Sequence, residues 1–151
     1  MFQGEGILIK HLQTLTEAAR TGALESAKRI GKIEVYTDAT QKRIIREMGG
    51  CEKEGECDVD TLQNIGAHFG VTGRVVQLEG VYIATLSLYD VKKGSFIERR
   101  EAEGKGIREL RKNVQKKTAE LILAGFRAAA RNKQAGGGGG YWAVGGVVAV
   151  A

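Results

Sequence analysis

Residues 49–94 read GGCEKEGECDVDTLQNIGAHFGVTGRVVQLEGVYIATLSLYDVKKG, and the second half of this stretch decides the fold. From Val81 to Tyr89 the chain alternates. Tyr82, Ala84, Leu86 and Leu88 fall on one face and Ile83, Thr85, Ser87 and Tyr89 on the other, which is the two-residue period of a strand. Val71 to Leu78 reads as the strand before it, and Glu79-Gly80 is a two-residue connection of the kind that closes hairpins. Asp90 to Gly94 makes a second turn, and Ser95 to Ala102 a third strand. That strand carries Glu98, Arg99, Arg100 and Glu101, a charge density suited to a sheet edge. The first half of the stretch is a glycine- and acid-rich loop holding both cysteines, followed by a short helix from Asp58. The Asp58 carboxylate caps this helix, Val59, Leu62, Ile65 and Phe69 face the core, and Gly70 ends it.

Working outward toward the N-terminus, Ile7 to Arg20 shows a helical period in Leu8, Leu12, Leu15 and Ala19. Gly22 is a candidate break, after which Leu24, Ala27 and Ile30 continue the pattern to Gly31. Lys32 to Thr37 is a short strand with Ile33 and Val35 on one face. Asp38, with Gln41 at the capping-box position, opens a small helix through Ile44, Ile45 and Met48 that stops at Gly49. On the C-terminal side, Ile107 to about Arg131 is the longest helix. Ile107, Leu110, Val114, Leu121, Ile122 and Phe126 form a stripe to lie across the sheet. The expected fold is therefore α/β (α+β): a mixed sheet of three to four strands with helices packed on it and a long C-terminal helix.

The chain has 151 residues, enough for one domain with a core and too few for two ordinary ones. Its hydrophobic fraction of 42% and charged fraction of 27% exclude a disordered chain. Proline is absent, so turns fall to the 22 glycines. A net charge of +5 admits nucleic acid, an anionic membrane or an acidic partner and selects none; a well-solvated surface is the simpler reading. The segment from Met1 to Gln13 has no basic start, sustained apolar run or cleavage site of a signal peptide.

Few residues offer chemistry. Cys51 and Cys57 are expected to close a small disulfide loop, as they would in an oxidising compartment; in the cytosol they would be free thiols. A metal site would need about four ligands, and only His68 and some carboxylates lie nearby in sequence. No third group orients a Cys-His pair, so His68 reads as a surface or partly buried histidine. Neither Gly70-Val71-Thr72-Gly73 nor Gly104-Lys105-Gly106 fits a phosphate-binding loop. No pair of carboxylates has a neighbour that would separate their pKa values. No catalytic residue, cofactor or metal is expected. The interaction candidates are Arg99 and Arg100 on the edge strand, and Lys105, Arg108, Arg111 and Lys112 at the start of the long helix. As a nucleic-acid element the Lys105–Lys117 helix would track phosphates, but it lacks interleaved aromatics or a base-reading pattern.

Residues 1–134 form the expected domain, and residues 135–151 a separate tail. Gly136 to Gly140 is a glycine run, and YWAVGGVVAVA follows without a charge. Three readings compete for it: the beginning of a membrane helix, which needs about 20 apolar residues, a flexible tail, or a strand docked on the domain. The Tyr-Trp pair favours the membrane reading. Arg127, Arg131 and Lys133 would then flank the membrane on its cytoplasmic side, against an exported domain.

The order Gly50-Cys51, Cys57, the helix ending in Ile65-Gly66-Ala67-His68-Phe69-Gly70-Val71-Thr72-Gly73, and the hairpin with Leu86-Ser87-Leu88-Tyr89-Asp90 and Lys93-Gly94 resembles a bacterial envelope family. It is similar to the amino-terminal domain of the TolB translocation protein and its CsgG-like relatives, from Leu8 to about Ile122. The resemblance implies a layered α/β fold, no catalytic residues, and a non-enzymatic role binding other proteins in the periplasm or on the outer face of a membrane. The family's opening strand has no counterpart before Ile7, which suggests a fragment or an unusual start, and a sheet one strand short. The alternative is a cytosolic basic domain that binds nucleic acid through Lys105–Lys117.

Overall fold

The alternating stretch becomes the middle of an antiparallel meander. The computed structural model describes residues 1–31, 33–36, 39, 40, 43, 46, 66–136 and 146–150, with backbone alone at 129–136, 146 and 147. Strands β2 (Phe69–Leu78), β3 (Val81–Asp90) and β4 (Ser95–Gly104) follow β1 (Ile33–Val35) in sequence. β2 and β3 pair in unbroken register from Phe69 opposite Asp90 to Leu78 opposite Val81. Their connection has positive φ at both central residues, Glu79 at 51° and Gly80 at 78°, the primed turn that matches strand twist. β4 pairs antiparallel with β3, with a bulge where the register shifts between Leu88 and Tyr89.

Among the described residues, two long helices cover one face. α1 (Ile9–Ile30) precedes β1, and α2 (Ile107–Gly136) follows β4. α1 packs along α2, α2 lies over β3 and β4, and α1 reaches β1. Leu12, Leu15, Ala19 and Ala23 of α1 and Leu110, Val114, Leu121, Ile122 and Phe126 of α2 enter the core. They meet Ala84, Leu86 and Leu88, which share one face of β3 as the alternation required.

Gly22 does not break α1, which is continuous to Ile30. A Cβ at Gly22 would collide with the backbone carbonyl of Gln115, so the glycine lets α1 and α2 approach closely. Ser26 completes the contact, its hydroxyl donating to the carbonyl of Ala119 at 3.0 Å. Leu8 and Leu24, which belong to the apolar period of this segment, are 57% and 42% exposed. Leu8 is the N-cap rather than a helical residue, and Leu24 lies off the stripe that faces α2. Phe69 and Gly70 also differ from expectation, since they open β2 instead of ending a helix. The positive-φ glycine that breaks the chain is Gly66, at 78°. The Asp38 helix, the body of the Asp58 helix and both cysteines lie outside the described residues.

Among the described residues the sheet has five strands, not three or four, in the order β1-β5-β2-β3-β4. The extra strand is β5 (Gly146–Val150), from the uncharged tail. It runs parallel to both neighbours, with Val148 opposite Val35 on one side and Phe69 on the other. Of the three readings of the tail, the docked strand is the one these residues adopt. Val148, Ala149 and Val150 are fully buried. A parallel strand covered on both faces has no polar side, so its sequence is a continuous apolar run. Among the described residues no helix is long and apolar enough to cross a membrane. The fold is α+β, a mixed five-stranded sheet with helices packed on it.

The N-terminus also joins the sheet. Gln3 bridges Arg74 in parallel: its N–H donates to the Gly73 carbonyl at 2.9 Å, and its carbonyl accepts from Val75 at 2.7 Å. Phe2 is buried directly over Gly73, where any Cβ would strike its ring.

Candidate functional site

β4 is an edge strand, as its charges suggested. Residues directly opposite one another on paired strands share a face of the sheet. The register therefore places Glu98 beside Leu88 and Arg100 beside Leu86 on the helix-covered face, and Arg99 beside Ser87 on the other. Arg99 and Arg100, adjacent in sequence, sit in different environments.

On the helix-covered side, Arg100 bonds the Glu98 carboxylate at 2.9 Å. Nearby, Lys117 and Glu120 of α2 pair at 2.8 Å. The hydrogen bond from Lys117 is the largest influence holding the Glu120 carboxyl below its ordinary pKa, opposed by slight desolvation and helped by the charges of Lys117, Lys116 and Arg100. Arg100 thus belongs to a half-exposed cluster of alternating charges along the seam between β4 and α2. It is a weak candidate for partner contact.

On the open side, Arg99 lies 5.5 Å from the centroid of the Phe96 ring, within cation–π range. Phe96 meets Tyr89 edge to face at 5.9 Å between centroids. Sequence reading passed over Phe96. The bulge explains why: Tyr89 faces Phe96 and Leu88 faces Glu98, so Ile97 is the extra residue, and a strict alternation from Glu98 would have turned Phe96 inward. Phe96 is 52% exposed, a large apolar group beside a cation on an edge strand. Its signal in sequence was only its place next to a turn.

The basic candidates on α2 form a third location. Lys105, Arg108, Arg111, Lys112 and Lys116 are exposed. Arg108, Lys112 and Lys116 recur at intervals of four and share one stripe. Acidic groups interleave with them. Glu109 accepts the Lys105 backbone N–H at 2.9 Å and so caps the helix, and Asn113 donates to the Glu103 carbonyl at 2.6 Å, tying α2 to the end of β4.

His68 is half-buried, and its carbonyl accepts from Val91 at 3.0 Å. Among the described residues no three His, Cys, Asp or Glu side chains gather as metal ligands would. The structure thus separates the sequence candidates into a half-exposed ion cluster (Arg100), an aromatic-cation edge (Arg99 with Phe96) and a solvated basic stripe (Lys105, Arg108, Arg111, Lys112). No family model, no curated protein and no solved structure matches the chain.

Proposed function

We propose that this chain is a non-enzymatic domain that binds a protein partner along the outer edge of β4, in the bacterial cell envelope. The observation that carries the binding reading is the exposed Phe96–Arg99 pair on an edge strand. An edge offers backbone donors and acceptors to an incoming strand, and alternate side chains beside it provide specificity. Aromatic and arginine side chains are also those most enriched where binding energy concentrates. The envelope setting rests on the resemblance of residues 8–122 to TolB-like and CsgG-like domains and on the expected disulfide between Cys51 and Cys57. No ligand chemistry enters this reading, and a role for the tail as a tether is not part of it.

A photo-crosslinking residue placed at Phe96 and, separately, at Arg108 tests this in the native host. The expected result is a protein adduct from position 96, absent in the Arg99→Glu background, with no comparable adduct from position 108. Alkylation of Cys51 and Cys57 only after reduction would place the domain outside the cytosol. The exposed stripe of Arg108, Lys112 and Lys116 favours a second reading, nucleic-acid binding from the cytosol. Free thiols in intact cells, together with duplex binding that weakens steeply with salt, would establish that reading instead.

A further inference from the structure

The direction of each peptide group on β4 follows from the register. The two-residue turn after Leu78 makes Leu78 and Val81 a hydrogen-bonded pair. In an antiparallel pairing, both peptide groups of one residue turn to the same neighbour and those of the next residue turn away. By that alternation Ser87 bonds toward β2, and Leu86 and Leu88 bond toward β4. Arg100 and Glu98, opposite Leu86 and Leu88, therefore bond inward, and Arg99 between them turns its N–H and C=O out of the sheet.

Those outward groups are already occupied, by side chains of the strand itself. The Arg99 N–H donates to Oε1 of Glu98 at 3.1 Å, and the Arg99 carbonyl accepts from Nη1 of Arg100 at 2.8 Å. The same two side-chain atoms meet at 2.9 Å, so the ion pair and the Arg99 peptide groups close one circuit. The carbonyl of Glu103, four residues on and directed the same way, accepts from Asn113 of α2 at 2.6 Å. At Arg99 the pair offers one acceptor and one donor, which is what a residue of an added strand would offer. A strand pairs there only after both side chains swing away. Sheet edges are commonly blunted against unwanted pairing. Here the blunting is done by side chains 33% and 32% exposed, whose release uncovers none of the core.

We propose that the Glu98–Arg100 pair is a latch that closes the β4 edge to an added strand and opens to admit one. It sets the condition for strand entry at this edge and holds whether or not position 96 finds a partner in the host. The strand that fits carries an acid opposite Arg99 and a base opposite Glu101, which share the open face. A second copy of β4 meets that requirement. Antiparallel pairing centred on Arg100 sets Arg99 of each copy opposite Glu101 of the other.

Two measurements test the latch. In the first, amide exchange read by NMR compares the parent chain with Glu98→Ala. The Arg99 amide should exchange about tenfold faster in the variant, with the β3 amides unchanged; an unchanged Arg99 rate overturns the proposal. In the second, light scattering compares the parent with the double variant Glu98→Ala/Arg100→Ala, from about 10 µM to about 1 mM, a range that captures weak association. The double variant loses one charge of each sign, so the net charge stays at +5. It should dimerise at concentrations about tenfold below the parent. Adding Arg99→Pro, which removes an outward N–H and leaves the β3 ladder intact, should reverse the gain. A double variant no more associated than the parent overturns the proposal. So does association that survives Arg99→Pro, which would place the contact elsewhere. If the double variant does not fold, the exchange rate of Arg99 decides.

Discussion

At the residue scale, the small and polar groups between the helices matter more than their size suggests. Gly22 was legible as an anomaly in a helical pattern, but its purpose was not, because the collision it avoids is with Gln115, far along the chain. On an exposed helix Gly→Ala stabilises by about 1 kcal/mol. At Gly22 the sign should reverse, with a loss of about 1–3 kcal/mol as the helices are forced apart, read as a lowered urea midpoint. Thr118 lies in the same seam, fully buried, and its hydroxyl has no hydrogen-bond partner among the described residues. Thr118→Val keeps the shape and removes the unsatisfied group, so it should be neutral or stabilising by up to about 1 kcal/mol. A clear destabilisation would show that the hydroxyl is bonded in solution. Glu120 gives the pH signature. Its carboxyl titrates below its ordinary value, held down chiefly by Lys117, so its contribution is complete above the ordinary glutamate pKa and disappears as pH falls through the lowered one. The pair is more than a third exposed, so screening keeps the effect under about 1 kcal/mol. Glu120→Gln should flatten the stability profile slightly in that acidic window and leave neutral pH nearly unchanged.

At the element scale, periodicity succeeded where one face of an element is wet and failed where neither is. The two faces of β3 were separable in sequence, and the one carrying Ala84, Leu86 and Leu88 is the one the helices cover. β5 has no such contrast. Its apolar run has the composition of a membrane segment as well as that of a central parallel strand, and only its neighbours in the sheet distinguish the two. Burial also separates valines that look alike in sequence. Val148→Ala should cost about 2 kcal/mol, whereas Val76→Ala, at a side chain 44% exposed on the open face, should cost under about 0.5 kcal/mol. Parallel denaturation of the two variants makes the comparison. Equal losses would mean that β5 spends much of its time out of the sheet. Phe96 belongs to this scale too. The bulge that re-aims it is a property of the β3–β4 pair, and nothing in the run Ser95–Ala102 alone announces it.

At the scale of the whole molecule, the unexpected feature is the order of assembly. The far end of the sequence supplies the strand between β1 and β2. Sequence patterns report local spacing, and the pairing of Val148 with Val35 and Phe69 spans most of the chain. That is why the fold class could be read and the strand count could not. β5 also shapes the functional reading. With β5 pairing both β1 and β2, the long open edge is that of β4, where Phe96 and Arg99 lie. Hydrogen exchange of the intact chain, followed by mass spectrometry, tests this arrangement most directly. The account predicts that peptides covering residues 146–150 exchange as slowly as those from β3, at the rate set by global unfolding. Exchange of residues 146–150 as fast as that of an unstructured chain, with β3 still protected, would contradict it.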